Sequence, residues 1–119
     1  MADHSIVTLS RAPQAELEAP QPKPTAVTPG LVEASTTIWE SVDGKTSVGV
    51  WECSPGSFTA HRDGYSEVCQ LLTGSVTVDT DGEGSVTLHA GDTLVMPDGW
   101  SGVWHVHEQL RKTYVTVES

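Results

Sequence analysis

From Thr36 onward the chain alternates short runs rich in β-branched and aromatic residues with turn-forming residues, and no apolar stripe at helical spacing runs between them. The runs cover 36–40, 46–53, 58–61, 67–72, 75–79, 85–88, 93–96, 103–107 and 113–117. Punctuation comes from Asp43-Gly44, Ser54-Pro55-Gly56, Gly74, Asp81-Gly82-Glu83-Gly84, Ala90-Gly91-Asp92 and Pro97-Asp98-Gly99. Turns at this spacing predict about eight strands of a sandwich or barrel. So many short strands create an edge problem, which a closed antiparallel architecture answers.

Ahead of the strands lies a different segment. Five of the seven prolines fall between Pro13 and Pro29, a density that permits neither a long helix nor a central strand. An extended N-terminal arm over 1–30 and a single β domain over 31–119 are expected. Proline lowers the entropy lost on docking, so the arm is suited to lie along the barrel or a neighbouring subunit.

The formal net charge of -10 comes with only six Lys and Arg, too few and too scattered to neutralise a run of phosphates. Nucleic acids and anionic membranes are therefore not expected as partners. No apolar run reaches the ~20 residues of a membrane helix, and the N-terminus lacks a signal-peptide pattern, so a cytoplasmic protein is expected. Cys53 and Cys69 fit no disulfide framework or zinc motif and are expected to be buried, reduced thiols. No serine-nucleophile elbow or phosphate-binding loop is present.

Two spaced motifs make the chain recognisable. Pro55-Gly56-Ser57-Phe58-Thr59-Ala60-His61-Arg62-Asp63-Gly64-Tyr65-Ser66-Glu67, followed by Gly74, resembles the first motif of the cupins. Gly91 with Pro97-Asp98-Gly99 resembles the second. Val50-Trp51-Glu52-Cys53, Glu67-Val68-Cys69, Gly99-Trp100-Ser101-Gly102-Val103-Trp104 and Arg111-Lys112-Thr113-Tyr114 extend the likeness. They are similar to the single-domain cupins grouped with ureidoglycine aminohydrolases and ethanolamine-utilisation cupins. The resemblance implies an all-β fold, a small cupin jelly-roll β-barrel (double-stranded β-helix) with an extended arm. It implies little about activity, because this fold hosts many chemistries.

Metal-binding cupins take two His and a Glu from the first motif and a third His from the second. Here His61 matches the first His, Asp63 replaces the second, Glu67 matches the Glu and Gly102 stands where the third His would be. His61 and Glu67 are thus weak metal candidates, no cofactor is expected, and any divalent ion would bind loosely. His105 and His107, two apart on a strand, share one face and could chelate together, but parity argues against them unless a bulge shifts the register. If position 102 faces inward, strand alternation turns Trp104 and Val106 inward and both histidines outward.

The same alternation turns Glu67, Cys69 and Leu71 inward, giving the pocket a carboxylate and a thiol beside the Trp104 ring. Lys112 and Tyr114 share one face of the last strand, with Lys112 able to pair with Glu67 or an anionic ligand. The expected pocket residues are His61, Glu67, Cys69, Trp104, Lys112 and Tyr114, with Glu67 the candidate catalytic acid or base. Three functions stay open: an enzyme acting on a small nitrogenous or carboxylic metabolite, a non-catalytic metabolite-binding or accessory module, and a metal-dependent cupin. A homodimer is the expected assembly, because a small sandwich leaves a sheet face or edge that association covers.

Overall fold

The computed structural model describes residues 4–119. Its regular structure is almost entirely strand: β1 (Gln21–Pro22), β2 (Val32–Glu40), β3 (Thr46–Cys53), β4 (Gly56–His61), β5 (Tyr65–Thr80), β6 (Gly84–His89), β7 (Thr93–Met96) and β8 (Ser101–Glu118). A single 3-10 turn at Ala12–Gln14 precedes them. Every ladder is antiparallel. The fold is the expected small all-β jelly roll, and no helix among the described residues is long and apolar enough to cross a membrane.

The strands differ from the sequence expectation where the barrel turns its corners. Residues 67–72 and 75–79, read as two strands, belong to the single strand β5, and 103–107 and 113–117 both belong to β8. The C-terminal half of β8 pairs with β3 and with the start of β5, while its N-terminal half pairs with β4 and the end of β5. The two long strands therefore pass from one layer into the other, as strands do at the corner of a folded sheet. Register shifts between Leu71 and Val76 make the bend. Gly74 sits in their midst at φ 87°, and a Cβ there would overlap the Gln109 carbonyl oxygen, so the bulge needs glycine for conformation and for space.

Alternation decides what faces the interior. Along β5 Glu67, Cys69 and Leu71 are buried while Val68 and Gln70 are exposed, and along β8 Gly102, Trp104 and Val106 are buried. Leu71, Val76, Met96, Trp104 and Leu110 are among the most deeply buried side chains of one continuous core.

The proline-rich arm is fastened to its own barrel. Gln21 and Pro22 add an edge to β2, Ala26 bridges to Phe58, and the Val27 and Thr28 amides both donate to the Ser57 carbonyl. Arg111, buried, donates through Nη1 to the carbonyls of Ala12 and Ala15 at 2.8 and 2.7 Å and through Nε to Glu52. These bonds bring Lys23 and Thr25 to the barrel mouth.

Candidate functional site

Strands β3, β4, β5 and β8 and the arm surround a cavity of about 350 Å³ in the barrel mouth. Trp51 lines it from β3, Phe58 and Ala60 from β4, Glu67 from β5, Trp104, Lys112 and Tyr114 from β8, and Lys23 from the arm. The volume lies at the lower end of the ~300–1,000 Å³ range of small-molecule sites.

A buried charge cluster forms one wall. Lys112 Nζ donates to Glu67 Oε2 at 2.6 Å, and Arg62 Nη2 lies 3.3 Å from Glu67 Oε1. Glu67, Lys112 and Arg62 are only 6, 5 and 9% exposed. Ionic groups persist at such depth only when paired, and here one carboxylate holds two cations. The aromatic walls take up the rest of the Lys112 charge, because its Nζ lies 4.6 Å from the ring centroids of both Trp51 and Trp104. Phe58 stacks on Trp104 at 5.7 Å, and Trp51 meets both rings edge-on.

A second ion pair ties the arm to this wall. Lys23 Nζ bonds Glu33 Oε1 at 2.8 Å and stands 4.5 Å from the Phe58 ring centroid, while Trp51 Nε1 donates to the same Glu33 oxygen at 2.8 Å. Burial pushes the Glu33 carboxyl up, but the bonds from Lys23 and Trp51 and the charges of Lys23 and Lys112 outweigh it. The net result lies below the ordinary 4.5.

Arg62 was not among the expected pocket residues. The motif puts His61 in the ligand position, yet His61 is exposed on the rim with Nδ1 3.1 Å from the Trp100 carbonyl oxygen. Strand β4 ends at His61, and its alternation carries one residue further, so that Arg62 points inward like Phe58 and Ala60. Its backbone is clamped by Arg62 N to Trp100 O at 2.8 Å and Gly99 N to Arg62 O at 2.6 Å. The signal was there in the alternation: Phe58, Ala60 and Arg62 are every second residue and point inward, which leaves His61 outside. Lys23 was missed because its position depends on how the arm docks.

Cys69, expected in the pocket, is not among the residues that line it. It faces inward but lies in the apolar core rather than in the cavity wall, where burial pushes its thiol up. Cys53, likewise buried, is raised by burial to about 11.

The residues present do not fit a cupin metal. Both Glu67 oxygens are engaged by cations, Asp63 is exposed, and no group of three His, Cys, Asp or Glu able to hold an ion occurs among the described residues. A side chain at position 102 has no room either, since a Cβ on Gly102 would overlap the Asp79 carbonyl oxygen and come 2.7 Å from the Trp100 ring. His105 and His107 face outward, as alternation requires. His105 links Ser57 Oγ at 2.7 Å to Asp79 Oδ2 at 2.8 Å, and His107 meets Thr77 Oγ1 at 2.7 Å.

A small jelly roll with an open mouth and this motif pair is a cupin. The chain belongs to the family of the EutQ-like cupin domain, whose profile matches residues 40–114. The match is to that group and is not specific for ureidoglycine aminohydrolases. Among solved structures it is similar to the EutQ protein of Clostridium difficile, at 20% identity and TM-score 0.65, covering 77% of this chain and 66% of that one. A putative ethanolamine utilization protein Q from Salmonella typhimurium is 24% identical with TM-score 0.63, covering 73% of this chain and 70% of that one. A DUF861-family protein of unknown function from Pseudomonas syringae pv. tomato is 20% identical with TM-score 0.72, over 96% of this chain and 45% of that one. At these identities the likeness speaks for the fold. No curated protein matches the sequence.

Proposed function

We propose that the protein is a small-molecule-binding cupin that works on a small nitrogenous or carboxylic metabolite in the barrel mouth, with Glu67 as acid or base and without a bound metal. The observation that carries this reading is the buried Lys112–Glu67–Arg62 cluster in the wall of the cavity. A buried charged group facing a cavity is costly for folding alone, which favours a role toward a ligand. In catalysis Glu67 would exchange a proton with the ligand, while Lys112 and Arg62 hold the carboxylate in place and stabilise its charge.

One observation favours a second reading. Both Glu67 oxygens already accept from cations, an arrangement that suits a module holding a metabolite without turning it over. The metal-dependent alternative is not supported by the donor set.

A thermal-shift screen of small metabolites against wild type and Glu67→Gln tests the proposal, because a ligand that binds only the native state raises the melting temperature. Expected are ligands that stabilise wild type and fail to stabilise a cooperatively folding Glu67→Gln variant. If that variant kept every ligand and lost only stability, Glu67 would be a core group and the role given to it here would fall.

A further inference from the structure

We infer that Ser57 is a second reactive site of the protein, a hydroxyl activated by His105 and Asp79 to take the acyl group of a small activated ester. The site lies on the outer face of the barrel and does not depend on the reading of the mouth.

Three strands assemble it. Ser57 on β4 and His105 on β8 are register partners, and Asp79 on β5 lies two residues beyond Thr77, the β5 partner of His105. Alternation turns all three outward, since their neighbours Phe58, Trp104 and Val78 are buried. His105 Nδ1 lies 2.7 Å from Ser57 Oγ, and Nε2 lies 2.8 Å from Asp79 Oδ2. The His105 and Asp79 side chains are 39 and 46% exposed and Ser57 is half-buried, so a molecule in solution can reach the array.

A carboxylate only accepts, so Asp79 fixes the proton of the neutral ring on Nε2. Nδ1 then carries the lone pair and accepts from the Ser57 hydroxyl. This is the relation of a nucleophile, its base and the group that orients the base, with the two ring nitrogens exchanged relative to the usual serine hydrolase. Ser57 Oγ attacks the ester carbonyl carbon, its proton passes to His105 Nδ1, and the leaving alcohol oxygen takes that proton as its bond to carbon breaks. Water then attacks the acyl carbon and gives its proton to His105. The bond to Oγ breaks, Oγ takes the proton back, and the acid leaves.

The neighbouring amides restrict the substrate. Ser57 N donates to Thr28 Oγ1 at 2.9 Å and Thr59 N to the Thr25 carbonyl at 3.1 Å, so neither is left to stabilise an oxyanion. An aryl ester, whose leaving group needs little help, suits such a site, and an amide does not. Val27, 64% exposed and bonded through its amide to the Ser57 carbonyl, offers the acyl chain an apolar neighbour.

Hydrolysis of p-nitrophenyl acetate and labelling by diisopropyl fluorophosphate, with the label located by mass spectrometry, test the assignment. In labelling the Oγ–P bond forms, the P–F bond breaks and the serine proton goes to His105 as fluoride leaves. A single label on Ser57 is expected in native protein and none in denatured protein. Ser57→Ala should lose the label and the hydrolysis that goes with it, and His105→Gln should lower both about a hundred-fold. Asp79→Asn should lower both as well, yet add nothing in a His105→Gln background, as befits a positioning residue that acts through His105. A purely structural Asp79 would show its effect in either background. If a variant fails to fold, the position of the label in wild type decides. No label on Ser57, or Ser57→Ala hydrolysing the ester as fast as wild type, would overturn the assignment.

Discussion

Lys112→Met removes the ammonium that bonds Glu67 at 2.6 Å while keeping an unbranched side chain between the Trp51 and Trp104 rings. Breaking one partner out of a buried ion pair costs about 3–5 kcal/mol. Arg62 still faces Glu67 from 3.3 Å, and methionine keeps a favourable sulfur–aromatic contact, so the expected loss lies lower, about 2–3 kcal/mol. Glu67→Gln should cost about as much, because it strands two cations in place of one anion. The double variant removes the pair as a unit, and a coupling of about 1–3 kcal/mol should make its loss smaller than the sum of the single losses. Urea unfolding of all four proteins measures this, with an unchanged m-value as the check that the same transition is compared. Additivity within about 0.5 kcal/mol would refute the reasoning, since it would mean that Lys112 and Glu67 do not interact in the folded protein.

Other consequences are open to simpler assays. Cys53, its thiol raised by burial to about 11, should be ionised in only about one molecule in 10⁴ at neutral pH, so both cysteines should label slowly until the protein unfolds. Rapid labelling of the native protein would contradict their burial. Because the folded Glu33 carboxyl lies below its ordinary 4.5, its stabilising contribution is present at neutral pH and is lost as pH falls through the folded value. Glu33→Gln should therefore be less stable than wild type at neutral pH and show a flatter acid limb, and identical pH profiles would count against the Lys23–Glu33 tie. A homodimer is expected through an outer apolar row, Trp39–Val48–Val115–Val68–Val95, whose members are register partners across five strands and of which Trp39, Val68 and Val95 are exposed. Light scattering should give twice the chain mass for wild type and a monomer for Val68→Glu, whereas a monomeric wild type would refute the assembly.

What could be read from the sequence was whatever obeys strand alternation within one uninterrupted strand. Gly102, Trp104 and Val106 turn inward and His105 and His107 outward because β8 keeps an unbroken register against β4 over that stretch. Glu67 and Lys112 reach the same interior for the same reason, which is why their pairing could be foreseen. Arg62 obeys the same rule, two residues beyond Ala60 and four beyond Phe58, whereas the motif points to His61, which alternation leaves on the rim. The contribution of Lys23 could not be foreseen, since nothing local in a proline-rich arm says which wall it will lie against. The fused strands β5 and β8 were hidden by their own corners: the bulge around Gly74 looks, in sequence, like the end of a strand. The saturation of Cys69 by apolar neighbours is likewise a property of depth, and alternation reports direction only.

Glu67 answers two cations and not a metal ion. Elemental analysis of protein purified without an affinity tag, after equilibration with manganese, iron, nickel or zinc and removal of the excess, tests it directly. Metal well below one equivalent per chain is expected, and equally low values for Glu67→Gln. One full equivalent in wild type that disappears in both His61→Ala and Glu67→Gln would contradict it, because those two side chains could then be ligands only if the Lys112 and Arg62 bonds to Glu67 were absent.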